Sequence, residues 1–144
     1  MTKIIQFILL VIMLATFSSV AIANVSFYDE AIKMYKEKKY DDAKFLFERN
    51  IVYNPKNVES YLYLAKIYNQ KEEQNKEEQN LDTVLLLEPS NEEAILMSMK
   101  IALKKSNYSK VKSLSKTFVK VCKKLCNEND SIKESLKNIE SKNE

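Results

Sequence analysis

Tyr40-Asp41-Asp42-Ala43-Lys44-Phe45-Leu46-Phe47-Glu48-Arg49-Asn50-Ile51-Val52-Tyr53-Asn54-Pro55 is the stretch whose reading decides the fold. Two aspartates sit where a helix begins, and negative charge in a first turn suits the helix dipole. Tyr40, Ala43, Phe47 and Ile51 recur at helical spacing, and Pro55 closes the run. The stretch has an echo. Pro89 lies 34 positions after Pro55, and the residues before each proline correspond. Phe27, Tyr61 and Ile95 share one position; Ala31, Ala65 and Met99 share another; Met34, Tyr68 and Ala102 a third. Further along, Phe47 matches Leu81, Tyr40 matches Tyr108, and Tyr53, Leu87 and Val121 precede the closing position. A period of about 34 residues, with two helices per unit and a terminal proline, marks a solenoid of helical hairpins. The spacing predicts helices over 27–38, 41–53, 58–70, 74–88, 91–105, 108–126 and 130–141. Ser26 and Ser90 open candidate capping boxes, and Asn57 is placed to cap the helix after Pro55.

These matched positions, with Tyr40-Asp41-Asp42-Ala43 and Asn54-Pro55 as the most specific pieces, resemble the tetratricopeptide repeat (TPR) family over about Val25 to Val121. The resemblance implies an all-α, TPR-like right-handed α-solenoid of about three hairpins, 24–57, 58–91 and 92–126. A capping helix and tail follow over 127–144. Some positions depart from the family pattern. Ala31 and Ala65 replace the glycine beside the first-helix position, Glu77 stands where a small residue belongs, and Ser115 stands where an aromatic is usual. These departures predict that the second and third interfaces are looser than the first.

Composition excludes several chemistries. The 144 residues contain no Gly, no His, no Trp and only two Pro. Without Gly there is no phosphate-cradling loop, and tight β-hairpins are disfavoured. Without His, the common neutral-pH base and the commonest zinc ligand are missing. Arg49 is the only arginine among 23 basic residues, so forked recognition of phosphate is nearly absent. Ser113-Leu114-Ser115-Lys116 matches the S-x-x-K pattern of acyl-enzymes, but its companion motifs are missing. The reading is a non-enzymatic chain with no cofactor, no metal and no nucleic-acid partner.

The start of the chain reads as an export signal. Lys3 is followed by the apolar run Ile4 to Phe17 and by the small-x-small triplet Ala21-Ile22-Ala23. Cleavage there leaves a mature chain from Asn24; uncleaved, the segment is an inner-membrane anchor. The expected location is periplasmic, with secretion as the other route.

Two surfaces are candidates for binding. The family resemblance implies a groove lined by the first helix of each unit, here Tyr28, Ile32, Tyr35, Leu62, Lys66, Asn69, Leu96, Lys100 and Leu103. It suits an apolar peptide or helix of a protein partner. The competing reading packs these apolar residues against the C-terminal helix or a second copy of the chain. The other surface is basic. From Lys100 to Lys124 there are nine lysines and no carboxylate. A helix over 110–126 would carry Lys112, Lys116, Lys120, Lys123 and Lys124 opposite an apolar face. That face suits an anionic membrane surface, or is the solvated outside of a core helix. Cys122 and Cys126 are the only cysteines. Either they pair, as an oxidising compartment favours, or they pack as small apolar residues. The functional reading is an exported adaptor mediating protein–protein interaction; membrane-surface association and a secreted effector binding host protein are the alternatives.

Overall fold

A computed structural model of the chain describes residues 26–140. The export segment lies outside the described residues. Those residues form seven helices: α1 Phe27–Lys36, α2 Tyr40–Tyr53, α3 Val58–Gln70, α4 Gln74–Leu87, α5 Glu92–Lys104, α6 Tyr108–Val121 and α7 Glu128–Glu140. Each helix packs on the next, and α7 packs on both α5 and α6. The result is an all-α solenoid of three hairpins closed by α7. No described helix is long and apolar enough to cross a membrane.

The hairpin turns obey the same 34-residue period as the prolines. Lys38, Glu72 and Ser106 each take the left-handed backbone conformation, with φ of 60°, 58° and 54°. In the first turn Lys39 N–H donates to Met34 O and Lys38 N–H to Tyr35 O. The pairs Glu73–Tyr68 with Glu72–Asn69, and Asn107–Ala102 with Ser106–Leu103, repeat the arrangement. These are three Schellman motifs, which occupy carbonyls that a helix end would otherwise leave bare. Glycine normally holds such a position because a Cβ costs about 1 kcal/mol there. This chain fills it with Lys, Glu and Ser, and meets the cost through the hydrogen bonds.

Helix starts follow the asparagines. Asn57 accepts from Ser60 N–H at 2.8 Å, Asn91 from Ala94 N–H at 3.0 Å and Asn107 from Lys110 N–H at 3.1 Å. The expected capping boxes at Ser26 and Ser90 do not form. Ser26 makes no side-chain cap bond, and Asn91 takes the capping place one residue after Ser90.

Three apolar clusters run along the stack. The first joins α1, α2 and α3 around Ala31, Ala43, Phe47, Leu64, Ile67 and Tyr68. The second joins α3, α4 and α5 through Leu62, Ala65, Leu81, Val84, Ala94 and Ile101. The third binds α5 and α6 to α7 through Ile95, Leu96, Met99, Val111, Phe118, Ile132 and Leu136. Buried polar pairs fix two junctions. Asn50 donates to Ser60 Oγ at 2.9 Å between α2 and α3, and Ser115 donates to Asn129 Oδ1 at 2.8 Å between α6 and α7. Ser115 thus replaces the missing aromatic with a hydrogen bond to the capping helix.

Between units the packing of α4 on α5 is slightly sparser than that of α2 on α3, as the departures predict. Within the second unit the two helices pack as closely as in the first, and the third hairpin is sparser. Glu77 is buried, and its carboxyl accepts a 2.9 Å hydrogen bond from Asn69 Nδ2 at the end of α3. Satisfying the polar end is what lets the longer side chain sit where a small one was expected.

Candidate docking surfaces

The helix expected over 108–126 ends at Val121. Cys122 leaves it with φ −62° and ψ 139°, an extended conformation. Cys122 and Cys126 are joined by a disulfide, with their Cα atoms 5.3 Å apart. The loop they close folds back on α5. Glu92, in the first turn of α5, accepts from Lys124 N–H at 3.0 Å and Leu125 N–H at 2.9 Å. Those two backbone bonds, Leu125's first, hold the Glu92 carboxyl below the usual glutamate range.

This loop changes the basic surface. Lys112, Lys116 and Lys120 are exposed on α6, but Lys123 and Lys124 lie in the disulfide loop. The five therefore do not form one helical face. The wider lysine block is also partly neutralised. Glu78 on α4 pairs with Lys105 and, at 3.0 Å, with Lys110. Both cations lower its pKa, Lys105 most.

The groove residues divide into two groups. At the N-terminal end, Tyr28, Ile32 and Tyr35 of α1 are half-buried and line the first cluster. Tyr35 meets Tyr63 edge-on at 4.9 Å and Tyr40 at 5.5 Å. Tyr63 stacks on buried Phe47 at 5.1 Å, and Tyr28 meets the same ring edge-on at 6.1 Å. Lys66 Nζ stands 4.8 Å above Tyr63 and 2.8 Å from Glu93 of α5. Burial raises the hydroxyl pKa of Tyr28 and Tyr35, with neighbouring acids and phenols adding to it.

At the C-terminal end the expected lining is largely spoken for. Leu96 is 4 % exposed and packs in the cluster with Ile132 and Leu136. Leu62 is 8 % exposed and belongs to the second cluster. Both are core residues, and Leu62 reaches the surface only at the edge of a depression it shares with Val121 and Leu125. Leu103 is half-buried in the cluster that α7 completes, and Lys100 lies 3.9 Å from Glu128 at the start of α7. Asn69 and Leu103 share a shallow depression of about 540 Å³ with Met97, Lys100 and Glu77. Tyr63 and Met97 were missed. Each follows an expected groove position by one residue, the 100° offset that separates neighbours on a helix.

No family model matches the sequence, and no curated protein does. Solved structures do match. The Yersinia enterocolitica type III secretion chaperone SycD, in complex with a peptide of the translocator YopD, is 15 % identical with a TM-score of 0.70. The match covers 82 % of this chain and 92 % of that one. The TPR domain of Arabidopsis OM64 gives 16 % and 0.67, over 78 % and 92 % of the two chains. The second TPR domain of human RPAP3, bound to an HSP70 peptide, gives 20 % and 0.63, over 76 % and 93 %. The chain has a tetratricopeptide-repeat fold. In the terms of that fold, α1, α3 and α5 are the first helices of three units, and α7 stands beside α5 as the first helix of a fourth. It is this extra helix that covers Leu96 and engages Lys100. The aromatic residues of α1 and α3 stay half-buried, away from α7.

Proposed function

We propose that the chain is a non-enzymatic, exported tetratricopeptide adaptor that docks a protein partner in the bacterial periplasm through Tyr28, Ile32, Tyr35, Tyr63 and Lys66. The observation that carries this reading is the half-buried aromatic group of α1 and α3, whose rings stay partly exposed among the described residues. Aromatic side chains there give contact area at low entropic cost. The peptide-bound states of SycD and RPAP3 support the same use of the fold. Export is supported by the order Lys3, apolar run, Ala21-Ile22-Ala23, and by a disulfide that suits an oxidising compartment.

The test is a crosslinking pull-down from periplasm with the normal chain and with Tyr35→Ala/Lys66→Ala, two side chains that are not fully buried. The expected result is a protein captured by the normal chain and lost from a variant with an unchanged circular dichroism spectrum. Equal capture by both would exclude this end of the groove. N-terminal sequencing of the exported chain should read Asn24; a chain still starting at Met1 would replace the free adaptor with an anchored one.

A further inference from the structure

In the stack, α3 is covered by α2 on one side and α4 on the other, and α5 by α4 and α6. Helix α7 packs on α5 and α6, and among the described residues nothing packs on its other flank. A cleft of about 260 Å³ lies along the seam between α6 and α7, beside that flank. Its floor is Val111, Ile132 and Leu136, and lysines stand on both banks: Lys112 and Lys116 from α6, Lys133 from α7. Lys116 and Lys133 have no carboxylate partner among the described residues. No acidic residue of α7 lines the cleft.

We propose that this cleft is a second docking site, distinct from the aromatic groove, and that it takes an amphipathic helix of a partner protein with acidic residues flanking its apolar stripe. Three observations select that occupant. The banks are cationic from both helices, so a complementary segment carries carboxylates on both sides of its stripe. The apolar floor lies deep between the lysine banks, with Val111 1 % and Ile132 4 % exposed, so a narrow ridge of side chains fits the mouth of the cleft better than a flat bilayer surface does. The volume is below the roughly 300–1,000 Å³ typical of small-molecule sites, yet it accepts a few anchor side chains spaced along a helix. The site lies where the stack would receive its next helix, so a partner helix there continues the packing already seen between successive helices. The lysines make the same flank self-repelling, which disfavours a second copy of this chain.

The experiment uses the full chain and a fluorescent designed peptide with leucines at i, i+4 and i+7 flanked by glutamates. Fluorescence anisotropy reads binding. The expected result is saturable binding, weakened roughly tenfold or more by Lys116→Glu/Lys133→Glu, since each lost rim pair and new repulsion acts in the same direction. Tyr35→Ala, in the aromatic groove, leaves this binding unchanged. Both lysines are exposed, so the reversal variant keeps the fold, as a melting curve checks. The proposal is overturned if the reversal leaves affinity unchanged, if the same peptide with lysines for glutamates binds equally well, or if no peptide binds. Binding of anionic phospholipid vesicles without binding of the peptide would overturn it in favour of a membrane.

Discussion

The two ends of the solenoid are built from the same repeat but stabilised differently. The first two units are held by rings. Phe47, Tyr63, Tyr28 and Tyr35 form a chain of ring contacts, and Tyr68 donates to Glu48 Oε1 at 3.1 Å. The third unit is aliphatic apart from Phe118 and Tyr108 and gains its hold from α7, a disulfide and the carboxylate of Glu92. The lesson concerns the groove. A repeat that fills its interior with rings can leave some of them partly at the surface. A repeat with a sparse hairpin instead recruits an additional helix and loses its open face.

The largest effect that would sharpen this contrast is Phe47→Ala. Phe47 is fully buried at the meeting point of α1, α2 and α3. The expected loss is about 3–5 kcal/mol in urea denaturation. Protection of amides in α1 to α3 should fall before that in α6 and α7; uniform loss would show that the ends are not separate.

The converse test is Cys122→Ser/Cys126→Ser. The small closed loop predicts a loss of about 2 kcal/mol. Hydrogen exchange should quicken in α7 and the first turn of α5, and not in α1. No change in exchange would mean that Glu92 alone secures the loop.

A third change acts through pH. Burial, and then the charge of Glu48, push the Tyr68 hydroxyl up to about 12 from its usual 10.0. The fold therefore prefers neutral Tyr68. Its contribution is complete below pH 10.0 and is lost as pH rises toward about 12. Tyr68→Phe should cost about 1 kcal/mol at neutral pH and flatten the alkaline limb of the stability curve. An unaltered limb would assign that limb to the other tyrosines.

The smallest effect has the opposite sign. Lys38→Gly relieves a left-handed residue at the first hairpin turn and should raise stability by about 0.5–1 kcal/mol. Ser106→Gly should do the same in the third unit. A rise in the first and none in the third would show that the two ends unfold separately.

Much of this architecture was legible because the repeat writes itself in apolar spacing and proline. Asn57 as a cap, the helix pairs and the all-α class all follow from local chemistry. What was illegible depends on contacts that form only when the helices pack. Nothing near Cys122 signals a helix end. The stop comes from a bond to Cys126 and from Glu92, more than thirty residues earlier. Leu96 reads as a groove residue until α7 lies over it. Glu77 reads as a misfit until Asn69 is beside it. The three left-handed turns carry no glycine to announce them, and only their common period gives them away.

The fastening of the disulfide loop has a mechanical consequence. A pull on the C-terminal end reaches the body of the protein through α7 and the residues between Cys122 and Cys126. The sulfur bridge takes that short stretch of backbone out of the load path, so it cannot lengthen under tension. The Glu92 carboxylate anchors the same stretch sideways to α5. The load passes from α7 through the sulfur bridge to α6, while the Glu92 bonds keep the unloaded loop seated on α5, so the α6–α7 junction behaves as a stiff handle.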